Sequence, residues 1–148
     1  MTMTVSSPRA KGHPGYSESH PRAEQTASLA RGLVRTACAT WGLPDEAAEA
    51  ASLVMTELLS NAVRHASGPS VRVIVDRPSD DRVYVAVVDR SPHRLPELRP
   101  LNLEEPCGRG LVLVEGMSDQ WGITLLGSHP TRGPWGKETW AVVKVGSP

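Results

Sequence analysis

Met55-Thr56-Glu57-Leu58-Leu59-Ser60-Asn61-Ala62-Val63-Arg64-His65-Ala66 is the stretch whose reading decides the fold. Its residues favour helix, and apolar Val54, Leu58, Leu59 and Ala62 recur at helical spacing. Glu57 and Asn61 stand four residues apart, about one turn, so they stack on one face. Ser60 and Arg64 extend that polar stripe. A carboxylate that can take a proton, beside an amide oxygen that can hold a hard cation, suits phosphoryl transfer.

The helix is expected to start at Leu43-Pro44-Asp45-Glu46, where Pro fits the first turn and the acids complement the positive helix end. It runs to about Ala66 and stops at Ser67-Gly68-Pro69, with His65 capping or packing at its end. Upstream, Ala23, Ala27, Ala30, Leu33, Val34 and Ala37 predict a helix from Arg22 to about Trp41, closed at Trp41-Gly42. Residues 1–20 mix Ser, Pro, Gly, His and single charges with almost nothing to bury, and read as a disordered tail before a single domain over 21–148.

Downstream, Val71, Val73 and Val75 alternate with polar neighbours, and Val83 to Val88 is Val-rich. Arg77-Pro78-Ser79-Asp80-Asp81 reads as the hairpin turn between two strands. Arg90 to Pro106 has no periodicity and the length of a lid. Gly108 to about Met117 reads as a helix, and Trp121–Leu126 and Glu138–Val145 as closing strands. Short turns between neighbouring strands predict an α/β fold, a two-layer sandwich whose mixed, mostly antiparallel sheet is covered on one face by helices.

Composition narrows the function classes. Sixteen basic and sixteen acidic residues balance, which argues against direct nucleic-acid binding. No apolar run reaches a membrane span, and the N-terminal residues lack the apolar core of a secretory signal. Cys38 and Cys107 have no zinc-type spacing and read as free thiols of a cytoplasmic protein. With four Trp, two Tyr and no Phe, the core must be aliphatic.

Two further segments offer chemistry. Cys107-Gly108-Arg109-Gly110-Leu111 places two glycines before a helix, where backbone amides and the helix dipole favour an anion. It lacks the third Gly of a dinucleotide fingerprint and the Lys of a Walker loop, so a loop that merely turns the chain remains open. Asp89, at the end of a buried strand, can hold a purine amino group or simply make a local turn.

In order, Glu57…Asn61, then Asp89, then Gly108-x-Gly110-Leu111 resemble the boxes of the Bergerat ATP-binding fold, shared by gyrases, heat-shock chaperones, sensor histidine kinases and mismatch-repair ATPases. The chain looks closest to the small branch of anti-sigma-factor serine kinases of RsbW type. There the first box often reads Glu-x-x-x-Asn-Ala-x-x-His, as Glu57 to His65 does. The resemblance spans Arg22 to Val145. It implies that Asn61 binds the Mg2+ bridging the phosphates of ATP and that Glu57 is the general base. By the same resemblance Asp89 takes the adenine amino group, and residues 90–106 form the lid. Gly108, Arg109 and Gly110, with Leu111 completing the box, contact the phosphates, and Thr139 lies near the adenine. One departure is visible: the family's Asp-x-Gly-x-Gly reads Asp89-Arg90-Ser91-Pro92-His93, and Arg90 and Arg94 could compensate by pairing with phosphate.

The resemblance thus implies an ATP- and Mg2+-binding regulatory protein that phosphorylates Ser or Thr of a small partner. Its implied partners are an anti-anti-sigma-like substrate, a sigma factor, or both, with a homodimer as the implied assembly. The altered Asp89 box keeps a second reading open, a non-catalytic module that docks on such partners. A detached histidine-kinase ATPase domain is a third; no upstream helix pair with an acceptor His accompanies it.

Overall fold

The computed structural model describes residues 15–93, 110–127 and 129–145, with the backbone alone at 110–112. The elements are β1 (Tyr16–Pro21), α1 (Thr26–Thr40), α2 (Asp45–His65), β2 (Ser70–Ser79), β3 (Arg82–Asp89), α3 (Gly110–Met117), β4 (Ser118–Leu126) and β5 (Gly136–Lys144). Five strands form one sheet in the order β1-β2-β3-β5-β4, with every neighbouring pair antiparallel. The helices cover one face, as the sequence predicts, although no parallel pair is present among the described strands.

Strand parity divides the sheet. Val71, Val73, Val75, Val83, Val85, Val87, Ala141 and Val143 point at the helices and pack with Val34, Val54, Met55, Leu58 and Leu59. Each such fully buried Leu or Met contributes on the order of 1.5–3 kcal/mol. On the opposite face Ile74, Tyr84, Ala86, Trp140 and Val142 form a smaller cluster, with the Tyr84 and Trp140 rings stacked 6.0 Å apart.

The turn between α1 and α2 follows from one glycine. Gly42 has φ +74°, its N–H bonds the Ala39 carbonyl at 3.1 Å, and the Leu43 N–H bonds that of Cys38 at 2.9 Å. This paired closure stops α1 and lets Pro44 open α2, where Asp45 and Glu46 occupy the first turn.

The expected tail needs correction over its last residues. Tyr16–Pro21 is an edge strand paired with β2 from Tyr16↔Val75 to Pro21↔Ser70. Its sequence shows no apolar alternation because only Tyr16 and His20 are even half-buried; the strand is held by its backbone ladder. The hairpin turn is also tighter than read, since β2 continues to Ser79 past an irregularity after Asp76. Among the described residues no helix is long and apolar enough to cross a membrane.

Candidate functional site

The end of the sheet where β3 and β5 run out beneath the last turns of α2 forms a small pocket. Its lining is Leu58, Asn61, Ala62 and His65 from α2, Val87 and Asp89 from β3, and Lys137 and Thr139 from β5. The register explains the grouping. Val87 lies opposite Thr139 and Asp89 opposite Lys137, all in phase with the residues that face the helices. On α2, Leu58, Asn61, Ala62 and His65 recur at the spacing of one helix face.

Three predicted residues therefore meet: Asn61, Asp89 and Thr139. The Asn61 Nδ2 atom is buried and finds no hydrogen-bond partner among the described residues. An orphan amide group in a polar pocket is costly and invites a ligand atom. Glu57 stands one turn earlier on α2, half-buried, and is not among the lining residues. Gly110 is the first residue of α3, which packs against α2. Gly108, Arg109, Cys107, Arg94 and the side chain of Leu111 lie outside the described residues, as does the lid beyond His93.

Asp89 has one oxygen committed internally. Its Oδ1 accepts the Ser91 N–H at 2.8 Å, the strand-end turn that an Asp makes locally, and it also accepts the Lys137 ammonium at 2.9 Å. Lys137 Nζ donates a second bond to the Ser91 carbonyl at 2.7 Å. Both side chains are almost wholly buried, at 4% and 2% exposure. Ser91 is tied in turn to the end of α2, because its Oγ accepts the Ser67 N–H at 2.7 Å. The loop after β3 is thus fixed to the helix terminus, and Pro92 follows a structured turn.

Lys137 is the residue the motif reading missed. A signal was present in the sequence: Lys137 has the same parity as Thr139, Ala141 and Val143, and so had to point inward. Gly136 completes the arrangement. A Cβ there would lie 2.4 Å from the Asp89 carbonyl oxygen, so only glycine lets β5 approach this closely. Arg90 turns away from the pocket and stacks over Trp135, its guanidinium carbon 5.7 Å from the ring centroid. Among the described residues no three His, Cys, Asp or Glu side chains gather as a metal cluster.

Residues 20–131 match the histidine kinase-like ATPase domain. No curated protein matches the chain in sequence. Among solved structures, a Mycobacterium tuberculosis protein crystallised as its RsbU and RsbW domains is similar, with a TM-score of 0.61 at 18% identity. The match covers 91% of this chain and 33% of the other, so the likeness is one of fold and spans about a third of the crystallised chain.

Proposed function

The chain belongs to the histidine kinase-like ATPase domain family, and from that premise we propose that it is an ATP- and Mg2+-binding regulatory protein of the anti-sigma-factor serine kinase type. The observation that carries this reading is the convergence of Asn61, Asp89 and Thr139 from three elements on one pocket, with Asn61 Nδ2 buried and without a partner among the described residues. The RsbW domain of the structural neighbour supports the choice of branch.

The phosphate end fits the implied metal. Mg2+ is content with one or two protein oxygens, the rest of its shell being phosphate and water. The Asn61 amide oxygen would supply that ligand, and the buried Nδ2 would donate to a phosphate oxygen. When bound, the ion neutralises charge on the triphosphate. Glu57, a turn away on the same helix, would accept the proton of a Ser or Thr hydroxyl on a small partner protein. An anti-anti-sigma-like substrate is the proposed acceptor.

Incubating the protein with γ-labelled ATP, Mg2+ and candidate partners tests the reading. Transfer of label to a partner Ser or Thr is expected, and Glu57→Gln should abolish it while retaining nucleotide. Tight nucleotide binding with no transfer to partners that nonetheless form complexes would favour the second reading, a non-catalytic docking module. The position of Glu57 outside the pocket lining and the internal engagement of Asp89 support that alternative.

A further inference from the structure

Among the described residues the cleft is narrow where Asp89 and Thr139 line it. The cavity left between Asn61, His65, Val87 and Thr139 is only about 10 Å³, room for roughly one water. A purine cannot enter it as it stands. Lys137 lines this space beside Asp89, and its ammonium engages Oδ1 of the Asp89 carboxylate. An ammonium N–H and the exocyclic amino N–H of a 6-aminopurine are both donors to a carboxylate oxygen, and they compete for it.

We propose that Lys137 is the residue that sets nucleotide affinity and base preference at this cleft, acting as an internal surrogate for the amino group of adenine on Asp89. The proposal rests on the nucleotide-binding reading above. The arrangement is built rather than incidental. Gly136 brings β5 against the Asp89 backbone, the register sets Lys137 opposite Asp89, and a second bond to the Ser91 carbonyl holds the ammonium in place. A buried ion pair is a weak source of stability compared with apolar packing, and this one stands at the end of a Val-rich face. The ammonium and the Ser91 N–H both fall on Oδ1 of Asp89, so a 6-aminopurine that takes that oxygen must move the ammonium, and part of its binding energy is spent on that exchange. Hypoxanthine, the base of ITP, has a 6-oxo acceptor in place of the amino donor and gains less from the freed acid.

Calorimetry of the full chain with Mg-ATP and Mg-ITP, for wild type and Lys137→Ala, tests this. K137A should bind ATP at least tenfold more tightly than wild type, and its gain for ATP should exceed its gain for ITP. Weaker or unchanged ATP binding by K137A overturns the surrogate role and makes Lys137 a direct contact or a bystander. Equal gains for ATP and ITP overturn it also, since they report only added room. If K137A fails to fold because Asp89 is left buried without its cation, the D89N/K137A double variant decides. It removes both charges and keeps an amide oxygen at position 89, and the same ATP-selective gain is expected; its absence overturns the proposal. Wild type that binds ATP while neither variant gains defeats this inference alone. Folded proteins of which none binds nucleotide defeat the nucleotide reading itself, and the inference with it.

Discussion

The Arg22 guanidinium donates through Nη1 to the Val63 carbonyl at 2.6 Å, fastening the turn that enters α1 to the last turn of α2. Through Nε it also takes the Gly68 carbonyl at 2.7 Å. Val63 lies two residues past Asn61, so the same side chain that satisfies an open helix-end carbonyl also steadies the turn bearing the candidate ligand. Arg22→Ala removes two charge-assisted bonds at a half-buried site and is expected to cost about 2 kcal/mol. Thermal unfolding should show Tm lower by about 6 °C. Arg22→Lys keeps the charge without the fork and should fall between the two. A melting curve for Arg22→Ala that superimposes on wild type would show that α2 needs no such fastening.

Asn61→Ala should separate stability from binding. The Nδ2 atom is buried without a partner among the described residues, so its removal relieves a desolvation cost and forfeits no internal bond of that atom. Urea unfolding is expected to change by less than about 1 kcal/mol. Mg-ATP binding, followed by calorimetry, should weaken by at least about tenfold, which is about 1.4 kcal/mol. A stability loss well above that bound would mean the amide is a structural member of the fold, and the case for a ligand there would fail.

How much of this was legible in the sequence depends on what each segment buries. α1 and α2 announce themselves because Ala30, Val34 and Ala37, and Val54, Leu58 and Ala62, must meet one apolar face. β2 and β3 do so through alternating Val. β1 escapes because an edge strand can be specified by main-chain pairing alone, and Ser17, Glu18 and Ser19 are exposed. At the site, Glu57 and Asn61 are readable as a local spacing, and Asp89 as a strand end. The Asp89–Lys137 pair is not, because 48 residues separate its members and only the β3–β5 register brings them together. The motif reading took Thr139 as the functional residue of β5; its inward parity is right, and the same parity carries Lys137 two residues earlier to the acid.

On the far face of the sheet, Tyr84 OH donates to Glu138 Oε2, with both residues at most 3% exposed. A buried carboxylate that loses a donor keeps its desolvation penalty. Tyr84→Phe is therefore expected to cost about 2 kcal/mol in chemical unfolding. Tyr84→Phe combined with Glu138→Gln should cost less than the sum of the single changes, because neutralising the acid removes the unpaired charge. Strict additivity would show that the two side chains are energetically independent.

Cys38 gives a pH-dependent readout of core integrity. It lies at the inner face of α1, 1% exposed, and burial pushes its thiol from the ordinary 9.0 up to about 11, with the nearby Arg77 charge opposing the shift. Native protein therefore keeps the proton through a range in which the unfolded chain releases it. Between pH 9 and about 11 the unfolded state binds fewer protons than the native one, so stability must fall as pH rises. The slope contributed by this one group is no steeper than about 1.4 kcal/mol per pH unit. Well below pH 9 both states hold nearly all of the proton and the thiol contributes little slope. Two measurements check this, both in a Cys107→Ser background so that Cys38 alone reports. Urea unfolding from pH 8 to 10.5 should show a decline above pH 9 that Cys38→Ala makes shallower. A thiol reagent at pH 8 should label the urea-unfolded chain quickly and the native protein only at the rate of opening, because the thiolate is the reactive form and the native site withholds both ionisation and access. Prompt labelling of native protein at pH 8 would place the thiol outside the core and remove α1 from the packing described above.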